Sequence, residues 1–229
     1  MPTVKSLPEK PVLVLNFKTF PSASGRNAVK LAKLAEKFAR TSRFSVVVCP
    51  DAGDLEEVAK VCRAVKVYSQ HLDAVEPGQT TGLFPPALAK KLGCSGTILN
   101  HAERKIPFST LAATVKLCKK YKLKTLVCAD TDKEAKKVAQ LNPDFVAVEP
   151  PDLIGTGKSI SRLRPELVKK SILTVKKLNR KISVLVGAGV TTAEDVRASL
   201  QLGADGVLVA SAFAASKNPG KWLESLKMI

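Results

Sequence analysis

The stretch VLVLNFKT, Val12-Leu13-Val14-Leu15-Asn16-Phe17-Lys18-Thr19, decides how this chain folds. From Val12 to Phe17 only Asn16 is polar, and the apolar residues run on without alternation. That is the pattern of a strand covered on both faces, as strands are in a parallel sheet flanked by helices. The residues just past the strand bear on which parallel sheet this is. An open, doubly wound nucleotide-binding sheet begins its first helix with G-x-G-x-x-G. Here Asn16-Phe17-Lys18-Thr19 ends the strand and no such run comes after it.

Working outward, residues 26–40 place Val29, Leu31, Ala32, Leu34, Ala35 and Phe38 at the spacing of a helix packed on one side. The alternation then repeats. Strands are expected at 44–49, 65–69, 96–100, 124–128, 145–149, 182–186 and 206–210. Helices are expected at 55–63, 85–92, 108–121, 133–140, 164–178, 192–202 and 219–227. No antiparallel hairpin signal interrupts the series, which argues for an all-parallel α/β sheet. Eight such units is the number that closes a (β/α)8 barrel, although counting alone leaves an open sheet possible. No linker, low-complexity tract or composition break divides the chain, so residues 1–229 are expected to form a single barrel domain.

The totals narrow the function. The apolar fraction is 45%, no apolar stretch reaches membrane-span length, and the N-terminal residues lack a signal-peptide core. Five cysteines, with no C-x-x-C pair, read as buried thiols in a reducing cytoplasm. The two histidines and scattered cysteines have no metal-ligand spacing, so no metal is expected. The net charge of +17 is unusual and favours anionic partners through long-range attraction. The lysines, however, recur on outward helix faces rather than in one tract, and aromatics are only 5%. A solvated surface is the better reading than a nucleic-acid site.

In a parallel barrel, chemistry sits at the C-terminal ends of the strands. Lys18 stands just past the first strand, with Asn16 two positions earlier on the same side. His101 and Glu103 follow the fourth, and Glu149 ends the sixth. Gly187-Ala188-Gly189 ends the seventh and Ala210-Ser211 the eighth. After Glu149 come Pro150-Pro151, then Asp152, Leu153, Ile154, Gly155, Thr156, Gly157 and Lys158: a stiff start and a pliable end. A base, a neutral donor, a cation and an amide-rich anion pocket thus gather on one rim. They form a site for moving a proton beside a carbonyl in a small anionic substrate.

At these residues the sequence resembles the triosephosphate isomerase family, in its shorter archaeal form. The matching stretches are NFK (16–18), QHLD (70–73), PGQTTG (77–82), NHAERK (100–105), AVEPPDLIGTGKS (147–159), VGAGV (186–190) and GADGVLVASA (203–212). The resemblance implies a (β/α)8 TIM barrel that interconverts dihydroxyacetone phosphate and D-glyceraldehyde 3-phosphate, in glycolysis and gluconeogenesis, without cofactor or metal. It implies that Glu149 is the base, that uncharged His101 hydrogen-bonds the reacting oxygen, and that Lys18 with Asn16 supplies positive charge there. Glu103 would ion-pair with Lys18 or Arg104. Residues 150–158 would be a lid, with Leu153-Ile154 as its apolar tip and Gly155 reaching the phosphate. Gly187, Gly189, Ala210 and Ser211 would supply the phosphate cradle.

The sequence departs from the commonest family pattern at Ala102, where serine is usual, and in VGAGV and VASA, where longer members carry Gly-Gly-Ser and Gly-Gly. The resemblance further implies self-association through residues 71–82, with Thr80-Thr81-Gly82 at the tip, as a homodimer or homotetramer. Two rivals stand beside it. One is another phosphate-binding barrel, which would not need a base on strand six with a Pro-Pro lid. The other is a nucleic-acid-associated barrel, suggested only by the charge.

Overall fold

The computed structural model describes residues 10–153, 156 and 159–229. Eight strands close on themselves in sequence order, each parallel to its neighbours: β1 (Val12–Asn16), β2 (Ser45–Cys49), β3 (Lys66–Ser69), β4 (Gly96–Leu99), β5 (Lys124–Ala129), β6 (Phe145–Val148), β7 (Ser183–Val186) and β8 (Gly206–Val209). The seam is the β1–β8 pair, in register from Val12 opposite Gly206 to Leu15 opposite Val209. The open doubly wound sheet is thereby excluded.

Between strands lie α1 (Arg26–Thr41), α2 (Leu55–Val61), α3 (Pro86–Lys91), α4 (Phe108–Lys120), α5 (Asp132–Ala139), α6 (Ile160–Leu163), α7 (Pro165–Leu178), α8 (Ala193–Gln201), α9 (Ser211–Ala214) and α10 (Pro219–Ser225). The helix expected from residue 164 begins one residue later and is preceded by a separate short turn, α6. Pro165 explains the break, because proline pushes the residue before it out of helical geometry, and Arg164 lies at φ −137°. The short helix α9 lies directly after β8, where the family resemblance implies a short helix with its N-terminus toward the phosphate.

Strand alternation divides the core in two. Val14, Val47, Tyr68, Ile98, Leu126, Ala147, Leu185 and Leu208 point into the barrel and pack on one another. Their neighbours along each strand, such as Leu13, Leu15, Val46 and Val146, point outward under the helices. Burying each of these large apolar side chains is worth roughly 1.5–3 kcal/mol. The interior is therefore a packed plug and not a pore. Residues that continue the inward parity past a strand's C-terminal end, such as Asn16 after Val14 and Glu149 after Ala147, stand over that plug.

Candidate active site

Asn16 closes β1 at the upper rim, 5% exposed. Its side-chain oxygen accepts the N–H of Lys18 at 3.0 Å. Lys18 itself is left-handed, at φ 48°, a conformation that non-glycine residues hold only where the surroundings enforce it. The enforcement comes from Gln70, after β3, whose amide donates to the Lys18 carbonyl at 2.9 Å and to the Cys49 carbonyl at 3.0 Å. Gln70 was not among the expected site residues. So held, the Lys18 ammonium meets Glu103 at 2.6 Å. Of the two partners the resemblance left open for Glu103, it is Lys18 that is engaged.

His101 follows another left-handed residue, Asn100, at φ 57°. The N–H of Glu103 donates to His101 Nδ1 at 3.2 Å. A backbone N–H can only donate, so Nδ1 carries no hydrogen and the ring's single hydrogen is on Nε2. That nitrogen lies 3.7 Å from Glu149 Oε1, too far for a hydrogen bond. His101 therefore keeps its donor free beside the carboxylate.

Glu149 stands one residue past β6, and its N–H still donates to the Ala129 carbonyl at 2.9 Å, extending the ladder. The side chain is 1% exposed, and its Oε2 has no hydrogen-bond partner. Burial pushes its carboxyl above the usual range; His101, the Cys128 thiol, Lys18 and Lys105 pull the other way without prevailing. A solvent-stripped carboxylate with an idle oxygen is a stronger base than one in water.

Gly187 lines the cavity at the upper rim. Its N–H donates to the Val148 carbonyl at 3.1 Å and so is not available to an anion. Its importance is the missing side chain: a Cβ here would lie 2.5 Å from Glu149 Oε1 and 2.6 Å from its Cγ. Gly187 leaves room for the carboxylate. The neighbouring Gly189, at φ 67°, does face the same cavity, as do Ala210 and Ser211 at the start of α9.

The lid is described at its start. Pro150-Pro151 lead into a 3-10 turn, Pro151–Leu153, which rotates Leu153 inward until it is 5% exposed within the outer core. Leu153 is thus an anchor and not the expected apolar tip. Its carbonyl accepts the Thr156 hydroxyl at 2.9 Å, and Asp152 is paired with Arg164 at 2.6 Å. Ile154, Gly155, Gly157 and Lys158 lie outside the described residues.

Asn16, Lys18, His101, Glu149 and Gly189 share one cavity of about 360 Å³ at the upper rim. The sequence brought them there from four different strands, and what they can do together is acid–base chemistry. A carboxylate so placed can take a proton from carbon, and a neutral imidazole and an ammonium beside it can steady charge that builds on oxygen. The fold and this rim define an acid–base isomerase on a barrel.

Comparison with known proteins is specific. A family model described as triosephosphate isomerase matches residues 11–226. The chain is 40% identical to a triosephosphate isomerase of Methanocaldococcus jannaschii, over 90% of this chain and 94% of that one. It is 41% identical to those of Methanopyrus kandleri, over 94% and 96%, and Caldivirga maquilingensis, over 91% and 92%. The chain belongs to the triosephosphate isomerase family.

Proposed function

We propose that Glu149, His101 and Lys18 are the groups with which this enzyme interconverts dihydroxyacetone phosphate and D-glyceraldehyde 3-phosphate. Glu149 removes the proton from C1 of the ketone, and the electron pair moves into an enediolate. His101 Nε2–H donates to the oxygen that gains charge, and the Lys18 ammonium, held by Glu103, lies on the same side. The hydroxyl proton on the C1 oxygen passes to the C2 oxygen by way of His101 Nε2, and Glu149 returns the carbon proton to C2, which leaves the aldehyde at C1. The observation that carries this assignment is the idle, fully buried Glu149 oxygen beside a histidine whose hydrogen is fixed on Nε2.

The substrate's phosphate would bind across the cavity, where Gly189 and the first-turn amides of α9 at Ala210-Ser211 line the wall. First-turn N–H groups have no acceptor inside their own helix. The loop that Pro150-Pro151 begin closes over the intermediate. Closure excludes water, which would otherwise weaken each charge interaction and let the enediolate lose phosphate. The stiff Pro150-Pro151 start and the Asp152–Arg164 pair confine the near hinge.

Self-association as a homodimer or homotetramer would use the 71–82 segment, which is exposed at Glu76, Pro77, Gly78, Gln79, Thr81 and Gly82. Its base is tied down, since Asp73 accepts the Phe84 N–H at 2.7 Å, and Glu76 pairs with Lys120 and Tyr121. Among the described residues no helix is long and apolar enough to cross a membrane. A cytoplasmic place beside the other steps of triose-phosphate metabolism fits the free, buried state of all five cysteines. The deciding experiment is a coupled assay of purified protein with glyceraldehyde 3-phosphate. Turnover that Glu149→Gln abolishes supports the assignment, and turnover that survives it overturns it.

A further inference from the structure

Beneath His101 lies a polar network that does not touch the substrate cavity. Asn100, 3% exposed, uses its whole side chain. Its amide donates to the Cys128 carbonyl at 3.0 Å and to Glu134 Oε1 at 2.8 Å, and its oxygen accepts the Ile106 N–H at 3.3 Å. Glu134, in the first turn of α5, also accepts the Asp130 N–H at 2.8 Å. Lys105 completes the ring, with its ammonium 3.0 Å from Glu134 and 2.6 Å from Asp130. The turn Asn100–Ile106, which carries His101, is therefore clamped at both ends to the β5–α5 connection.

The charges of Glu134 and Lys105 are firm. Partial burial works against each, yet the Asp130 N–H, the Asn100 amide and Lys105 hold the Glu134 carboxyl below its usual range. Asp130 and Glu134 likewise hold Lys105 above its own. The clamp also bears on both halves of the acid–base pair. It fixes the left-handed residue that aims the imidazole, and through the Cys128 carbonyl it grips the strand segment whose thiol adjoins Glu149. Asparagine tolerates the left-handed conformation better than most residues, and here its side-chain bonds hold it there.

We propose that Glu134 is a positioning residue for catalysis: through Asn100 and Lys105 it fixes the turn that aims His101 at the reacting oxygen. The inference rests on the assignment of His101 above and extends it to a helix outside the substrate cavity. Misplacement of a reacting group by about 1 Å can cost roughly 100-fold in rate. Removing the clamp is accordingly expected to lower kcat by about 10- to 100-fold while leaving KM nearly unchanged.

The test combines kinetics with nitrogen-15 spectra of the imidazoles, which are readable because the chain has only two histidines. Glu134→Ala is expected to lower kcat with little change in KM, and to turn the His101 signals from one tautomer into a mixture. Asn100→Gly, which accepts the left-handed backbone but loses the side chain, is expected to do the same. The double variant is expected to be no slower than the worse single one, because both cut one path. Full kcat with an unchanged tautomer in folded Glu134→Ala would overturn the proposal, as would a double variant whose loss is the product of the two. If Glu134→Ala does not fold, Glu134→Gln, equal in size but with one acceptor oxygen, is read by the same criteria. An inactive wild-type protein would instead sink the assigned reaction, and the tautomer spectra alone would then decide the role of Glu134.

Discussion

The two rims of the barrel both hold a sizeable cavity edged with lysine, yet they differ in kind. The lower one, about 400 Å³, is lined by Lys119, Lys122, Lys124 and Lys181 where α4, α5 and α7 end and the next strands begin. Lys119 donates to the Leu141 carbonyl at 2.8 Å, which satisfies an orphan acceptor at the end of α5, and Lys124 faces Asp144 at 3.5 Å. Cations at helix C-termini offset the negative end of the helix dipole, and that accounts for much of this chain's lysine. The upper cavity is smaller, but it contains a carboxylate stripped of water with an oxygen left idle. Volume and positive charge are common to both rims. Among the described residues of the two rims, desolvated, unpartnered charge beside an aimed donor is found only above.

If that contrast is the right one, perturbations above should cost rate and perturbations below should not. The largest effect is expected for Glu149→Asp, which draws the carboxylate back by one methylene. kcat should fall by about 100-fold or more with KM nearly constant, and kinetics near the wild-type level would return Glu149 to a structural role. His101→Gln removes the aimed donor and is expected to cost about 100-fold in kcat, with the melting temperature as control. Gly187→Ala should slow turnover by about 10-fold, because the new methyl displaces the Glu149 carboxylate. A drop confined to KM would restore Gly187 to phosphate binding.

Smaller still is a stability effect. The folded-state pKa of Glu149 lies above its unfolded value, so ionising it destabilises the fold once pH rises past the ordinary carboxylate range. Glu149→Gln is therefore expected to melt a few degrees higher at neutral pH. That advantage should vanish below the ordinary carboxylate pKa, where both forms are uncharged in the folded and unfolded states alike. An equal gain at acid and neutral pH, measured by thermal denaturation, would mean that packing and not charge is responsible. Smallest of all, replacing Lys122 and Lys181 by glutamine should change kcat/KM less than about two-fold, since only long-range steering is lost. A larger change would make the lower rim part of the reaction.

The barrel was legible because each strand carries an apolar run and the helices between them have an apolar face, so local pattern and global topology agree. Glu149, His101 and Lys18 were legible because strand ends are where such a barrel does chemistry. What stayed hidden depends on which partner a group has already taken. The Gly187 amide looks like an anion donor until the Val148 carbonyl is seen to occupy it. Leu153 looks like a lid tip until a 3-10 turn rotates it inward. Gln70 and Glu134 act on residues 52 and 34 positions away, distances over which spacing carries no signal.

The seam between β1 and β8 has a consequence for how the molecule comes into being. Gly206 lies so close to β1 that a Cβ would fall 2.1 Å from the Val12 carbonyl oxygen, so the first and last strands join at a point that admits only glycine. During synthesis β1 emerges early and must wait for nearly the whole chain before its last partner exists. Until then it presents an open edge of the kind on which chains aggregate. Closure is also the longest-range contact in the sheet, the sort that slows folding most. The interval between the first strand and the eighth is thus the period in which a ribosome-bound chain is most in need of protection.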